Sequence, residues 1–150
     1  MSKQGLYGDK EMIRWADMAI ASARRDLIKA FDSSSDKMVE SAHSRHKFNT
    51  ITGAVDESIK ADVELNASYL TLTFYLDTSV SGIMLPSGYN RAWLLNDGWM
   101  GGYRRGAISP SAITVGGEGG WKGDDFMGRT WTTQYKALDK RINKIMDGIR

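Results

Sequence analysis

Cysteine is absent from the 150 residues, which excludes disulfides and thiolate metal sites. That absence fits a reducing compartment. Histidine is scarce, at two residues, so any imidazole chemistry must run through His43 and His46. An excess of either charge is missing too: 20 basic residues stand against 18 acidic ones, a net +2. This balance makes no electrostatic case for nucleic acid as the main partner. No window approaches 18 consecutive apolar residues, the length a membrane-spanning helix needs. The opening MSKQGLYGDKEM has no apolar run of signal-peptide length. The expectation is a protein made and used in soluble form, with no membrane partner. What is present is ordinary for a globular chain: 41% apolar and 25% charged residues, at a length that suits one domain with one core.

Residues 1–8 hold two glycines and no pattern, and are expected to form a flexible arm. From Asp9, a plausible N-cap, a helix is expected. Met12, Ala16, Ala19, Ile20, Ala23, Leu27, Ala30 and Phe31 recur at three- and four-residue steps and share a face. The run Asp32-Ser33-Ser34-Ser35-Asp36 interrupts this pattern, because short polar side chains bond to free backbone groups. Two helices, or one bent helix, both satisfy it. Thr52, Gly53 and Ser58 then mark a hinge: Thr52 can cap a short turn and Gly53 supplies backbone freedom.

Ile59, Ala61, Val63 and Leu65 alternate with charged residues, and Leu70, Leu72, Phe74 and Leu76 alternate with Thr and Tyr. Joined by Asn66-Ala67-Ser68, they predict an antiparallel hairpin. Ile83-Met84-Leu85 is a candidate third strand, and Ala92–Leu95 a strand or short helix. Between Gly98 and Gly123, nine of 26 residues are glycine, which predicts a long loop. Trp131, Tyr135, Leu138, Ile142, Ile145 and Ile149 then predict an amphipathic helix of ~six turns, with Asp124 or Asp125 as its cap. The fold class is therefore α+β: N-terminal helices and a long C-terminal helix on a small antiparallel sheet.

No catalytic constellation stands out. His43 and His46, three apart on a helix, share a face with Glu40, but a zinc site needs three or four ligands and a solvated face explains them better. Asp124-Asp125 reads as a helix cap. Gly116-Gly117-Glu118-Gly119-Gly120 lacks the Lys-Ser/Thr ending of a phosphate loop. No catalytic residue, metal or cofactor is expected. Trp99, Tyr103, Arg104, Arg105 and Trp121 crowd the glycine-rich loop, where large aromatics need a surface to cover them. They are the candidate subunit interface. Arg104, Arg105 and Trp121 also support an alternative reading as a small nucleic-acid-binding module. A His-dependent metal hydrolase is the third alternative.

Thr52, Gly53, Val55, Ser58 and Ile59 form a Thr-Gly-x-hydrophobic-x-x-Ser-Ile motif ahead of the hairpin. Tyr89, Ala92 and Gly98 follow, then Asp125, Phe126, Met127 and Arg129 at the start of the last helix. Over roughly residues 36–149 this order resembles the neck and tail-completion (head-tail joining) proteins of tailed bacteriophages. It departs from that pattern at Asn49-Thr50-Ile51 and in the length of the loop at 98–123. The resemblance implies a structural virion protein with no active site. It implies a homo-oligomeric ring, hexamer or dodecamer, at the head-tail junction, assembled in the host cytoplasm. Its partners would be head-closure or portal-side and tail-side proteins, with DNA passing through without sequence-specific binding.

Overall fold

A computed structural model describes residues 4–47, 53–86, 88–100, 120–121 and 123–149, with 4–9, 99–100 and 120–121 as backbone only. Its elements run α1 (Gln4–Arg45), α2 (Ala54–Ser58), β1 (Ile59–Leu65), β2 (Leu70–Leu76), α3 (Arg91–Asp97), β3 (Trp99–Met100), β4 (Gly120–Trp121) and α4 (Phe126–Asp147). The architecture is α+β, as the order of sequence patterns predicts. Long helices at both ends flank a two-stranded antiparallel hairpin.

The serine-rich run does not break α1, which is one helix of 42 residues, ~63 Å long. Packing overrides local preference there. Ser34 and Ser35 are buried, the Ser35 hydroxyl donates to the Asp32 carbonyl at 2.7 Å, and Arg141 of α4 donates to Ser33 Oγ at 3.3 Å. Small side chains let α4 approach closely, and that contact outweighs the weak helix propensity of serine. The helix also begins at Gln4, inside the stretch expected as an arm, so Asp9 is interior rather than a cap. Once nucleated downstream, a helix extends at one hydrogen bond per residue, which offsets the cost of Gly5 and Gly8.

The hairpin has the register its alternation demands. Ile59 faces Leu76, Ala61 faces Phe74, Val63 faces Leu72 and Leu65 faces Leu70, so all four apolar pairs share one face. Asn66 N–H donates to the Tyr69 carbonyl at 2.9 Å and closes the turn. The expected third strand reduces to a single bridge between Met84 and Asn90. Pro86 has no N–H to extend a ladder. The chain instead folds back, with Leu85 N–H on the Tyr89 carbonyl and Arg91 N–H on the Ile83 carbonyl. The ambiguous stretch after it is helix α3, because the Asn90 side chain accepts from Ala92 and Trp93 N–H and caps it.

The core lies at the C-terminal end of α1. Ala42, Val55, Ile59, Ile83, Ala92, Leu95 and Phe126 bury one another, with Val39, Phe74 and Leu76 packed around them. α4 runs antiparallel along α1: Arg45 reaches Thr133, while Ser33, a few turns earlier, is met by Arg141. In the same register Asp147, where α4 ends, falls opposite the turn around Leu27. Among the described side chains, Ala23 is the most N-terminal buried one of α1.

Candidate functional site

The polar residues around the end of α1 form a joint. His43 Nε2 donates to the Asp56 carbonyl, and His46 Nε2 to Asp56 Oδ1, both at 2.8 Å. A carbonyl and a carboxylate only accept, so both imidazoles carry their proton on Nε2. Both side chains are thus turned to one residue of α2. Among the described residues, no group of three or more His, Asp and Glu is placed to hold a metal ion. The joint ties α1 to the hinge. Gly53 sits there at φ +72°, a left-handed conformation that glycine adopts freely, and Glu57 N–H donates to its carbonyl at 2.9 Å. Ser58 is fully buried and donates to the Val55 carbonyl at 2.7 Å. Thr52, the third residue of the expected hinge, lies outside the described residues.

Asp124 and Asp125 depart from the expected caps. Asp125 holds the N-cap position of α4 at φ +47°, and its side chain makes no capping bond. The first-turn N–H of Met127 is instead satisfied by Asn96 Oδ1 at 2.9 Å, from the end of α3. Asp124, with its side chain wholly buried, accepts from Lys47 N–H at 2.6 Å and pairs with Arg129 at 2.5 Å. Arg129 also donates to the Arg45 carbonyl, one of the open carbonyls at the C-terminus of α1. These contacts lock three helix ends together. They hold no nucleophile against a base.

The loop residues chosen as an interface are in part brought together. Trp99 and Trp121 are opposite one another in the β3–β4 pair, which closes the base of the loop. Tyr103, Arg104 and Arg105 lie outside the described residues.

Two surfaces stand out that the sequence pattern does not single out as surfaces. The first is the part of α1 before Ala23. Met12, Ile13, Trp15, Met18 and Ile20 are each 60–64% exposed there. Met12 and Ile20 belong to the face expected to be core; the repeat is real, but among the described residues no element covers it. The second is a flank of α4. Its core-facing row is Phe126, Thr130 and Leu138, while Trp131 and Tyr135, expected on that row, stack on each other at 5.7 Å and are 40% and 49% exposed. Met146 extends this flank. Part of the signal for both was in the sequence: the apolar arc of each helix is wider than one partner needs. A depression of about 540 Å³ also runs along α1 beside Asp36, Val39, Glu40, His43 and Ser44.

No protein-family model, curated protein or solved structure matches this chain.

Proposed function

We propose that this chain is a structural virion protein: a ring-forming head-tail connector subunit of the neck or tail-completion kind, lining the channel through which DNA leaves the head. The observation that carries the reading is the first half of α1. It stands clear of the core yet keeps an apolar face of Met, Ile and Trp side chains, 60–64% exposed. Large continuous apolar surface of this kind serves a partner. The motif that resembles the connector family also has a structural use. Gly53 turns the chain, while Val55, Ser58 and Ile59 are buried beneath the turn, so it sets the angle between helices and hairpin.

The reading assigns no catalytic residue. The near-zero net charge suits a channel wall along which DNA slides rather than binds. The subunits in the ring are six or twelve, with head-side and tail-side proteins above and below.

Solution mass over a concentration series, with negative-stain images, tests this. A closed ring of roughly 100 kDa, or a multiple, is expected for six or twelve copies. A strict monomer at every concentration would remove self-assembly. Salt-dependent DNA binding that weakens on Arg104→Ala and Arg105→Ala would then favour the nucleic-acid module.

A further inference from the structure

We propose that the free half of α1 is an arm that docks on the next copy of this chain, and that its seat there is the outer flank of α4. The inference rests on the ring reading and names the two surfaces that meet.

The arm continues a seam already used within the subunit. α4 packs along the second half of α1, where Ala30, Ser34, Met38 and Ser41 are buried, with Ala23 at the edge. Stepping back from Ala23 by three and four residues gives Ile20, Ala16 and Ile13. The stripe that takes a helix in its second half is therefore repeated in the first half, after the chain's own α4 has ended. A helical surface is what this stripe fits.

The seat follows from the second uncovered surface. Trp131, Tyr135 and Met146 lie on α4 away from its core-facing row. Pairing α1 with α1 would leave this flank bare. Pairing arm with flank covers both, and a contact between two different patches is the heterologous kind from which a ring is built when the rotation between copies closes. The dimensions agree. Residues 10–20 span ~16 Å of helix and residues 131–146 ~24 Å. Met12, Ile13 and Ile20, the exposed residues along that stripe, leave on the order of 350 Å² uncovered, a part of the ~800 Å² per partner of a standard interface. Exposed tryptophan and methionine are suited to such a seat, one as a large rigid anchor and the other as an adaptable filler.

Charge argues against other occupants. Between residues 9 and 22 the arm carries Asp9, Glu11 and Asp17 against Lys10 and Arg14. A helix that lies on anionic lipid, or along DNA, is rich in Lys and Arg.

The chain has no cysteine, so an engineered pair reports cleanly. Ile20→Cys and Tyr135→Cys, both at exposed sites, are combined in one chain and treated with a short bis-maleimide. A ladder of covalent oligomers is expected from the double variant and none from either single one. Dimers from Ile20→Cys alone would place α1 against α1 and overturn the proposed seat. Separately, Ile13→Glu with Ile20→Glu should raise the concentration for half-assembly at least ~10-fold while helical circular dichroism is unchanged. A ring that forms normally with both glutamates overturns the arm and leaves the ring reading standing. A wild-type chain that stays monomeric, with no ladder from the double variant, overturns both. Arm-dependent binding of the monomer to anionic vesicles would assign the arm to a membrane instead.

Discussion

Two glycines with nearly the same backbone angle differ in what surrounds them. Gly123, at φ +84°, has backbone atoms of Asn96 and Asp97 within 2.6–2.8 Å of where a Cβ would sit. Gly123→Ala should therefore cost about 2–4 kcal/mol, combining left-handed strain with displacement of backbone. Gly53, at φ +72°, has open space around it, so Gly53→Val should cost only about 1–2 kcal/mol. Urea melts of the two variants test this order; a Gly53→Val melt equal to wild type would show that the hinge does not depend on that angle. On the hairpin, Tyr75 donates to Asp62 Oδ2 at 2.6 Å, and this bond, aided by the negative charge, raises the phenol above its ordinary value of 10.0. A raised value in the folded state means a stabilising contribution that is full below pH 10 and lost as pH rises through the folded value. Asp62→Asn should bring the Tyr75 titration back down, as read by NMR. Asp77 is shifted the other way, held below 3.8 by hydrogen bonds from the Ser79 hydroxyl and N–H. Its contribution is present above that pH and is lost on acidification.

At the scale of elements, side chains from elsewhere finish the helix ends. Asn96 supplies the cap that Asp125 does not, so Asn96→Ala should destabilise by about 1 kcal/mol and Asp125→Ala by less. Asp124 joins the N-terminus of α4 to the C-terminus of α1, and Asp124→Asn should cost about 1–3 kcal/mol through its charged hydrogen bonds. Thermal melts of these three variants give the ranking; equal losses for Asn96 and Asp125 would contradict the geometry. Periodicity made the hairpin and α4 legible, because alternation and three-four spacing each allow one buried face. It could not choose which residues of a broad apolar arc face inward. Trp131 and Tyr135 fit the helical repeat as well as Phe126 and Thr130 do, and only the position of α1 separates them.

At the scale of the whole molecule, the core occupies one end of α1, and two apolar surfaces lie outside it. The loop whose base is the β3–β4 pair adds a third element available to a ring. Deleting residues 100–120 should leave a folded monomer, because Ala42, Val55, Ile59, Ile83, Ala92, Leu95 and Phe126 form a core from either side of them, and should stop ring assembly. Mass measurement and circular dichroism of the deletion variant test both halves of that statement. Normal assembly would exclude the loop as an interface while leaving the α1 arm in place.

Composition and local pattern alone determined the fold class, the hairpin, the long C-terminal helix and the need for glycine at position 53. These depend on neighbours within a few residues, where backbone geometry and side-chain alternation leave few options. Tertiary structure alone decided that α1 runs unbroken through its serines, that Asp124 clamps rather than caps, and that His43 and His46 both turn to Asp56. It also decided that half of an apolar stripe finds no cover within the subunit. Those outcomes depend on what lies across the fold: a serine is a helix breaker facing water and a close-packing residue against another helix, and a repeat of apolar residues specifies a face but not its partner.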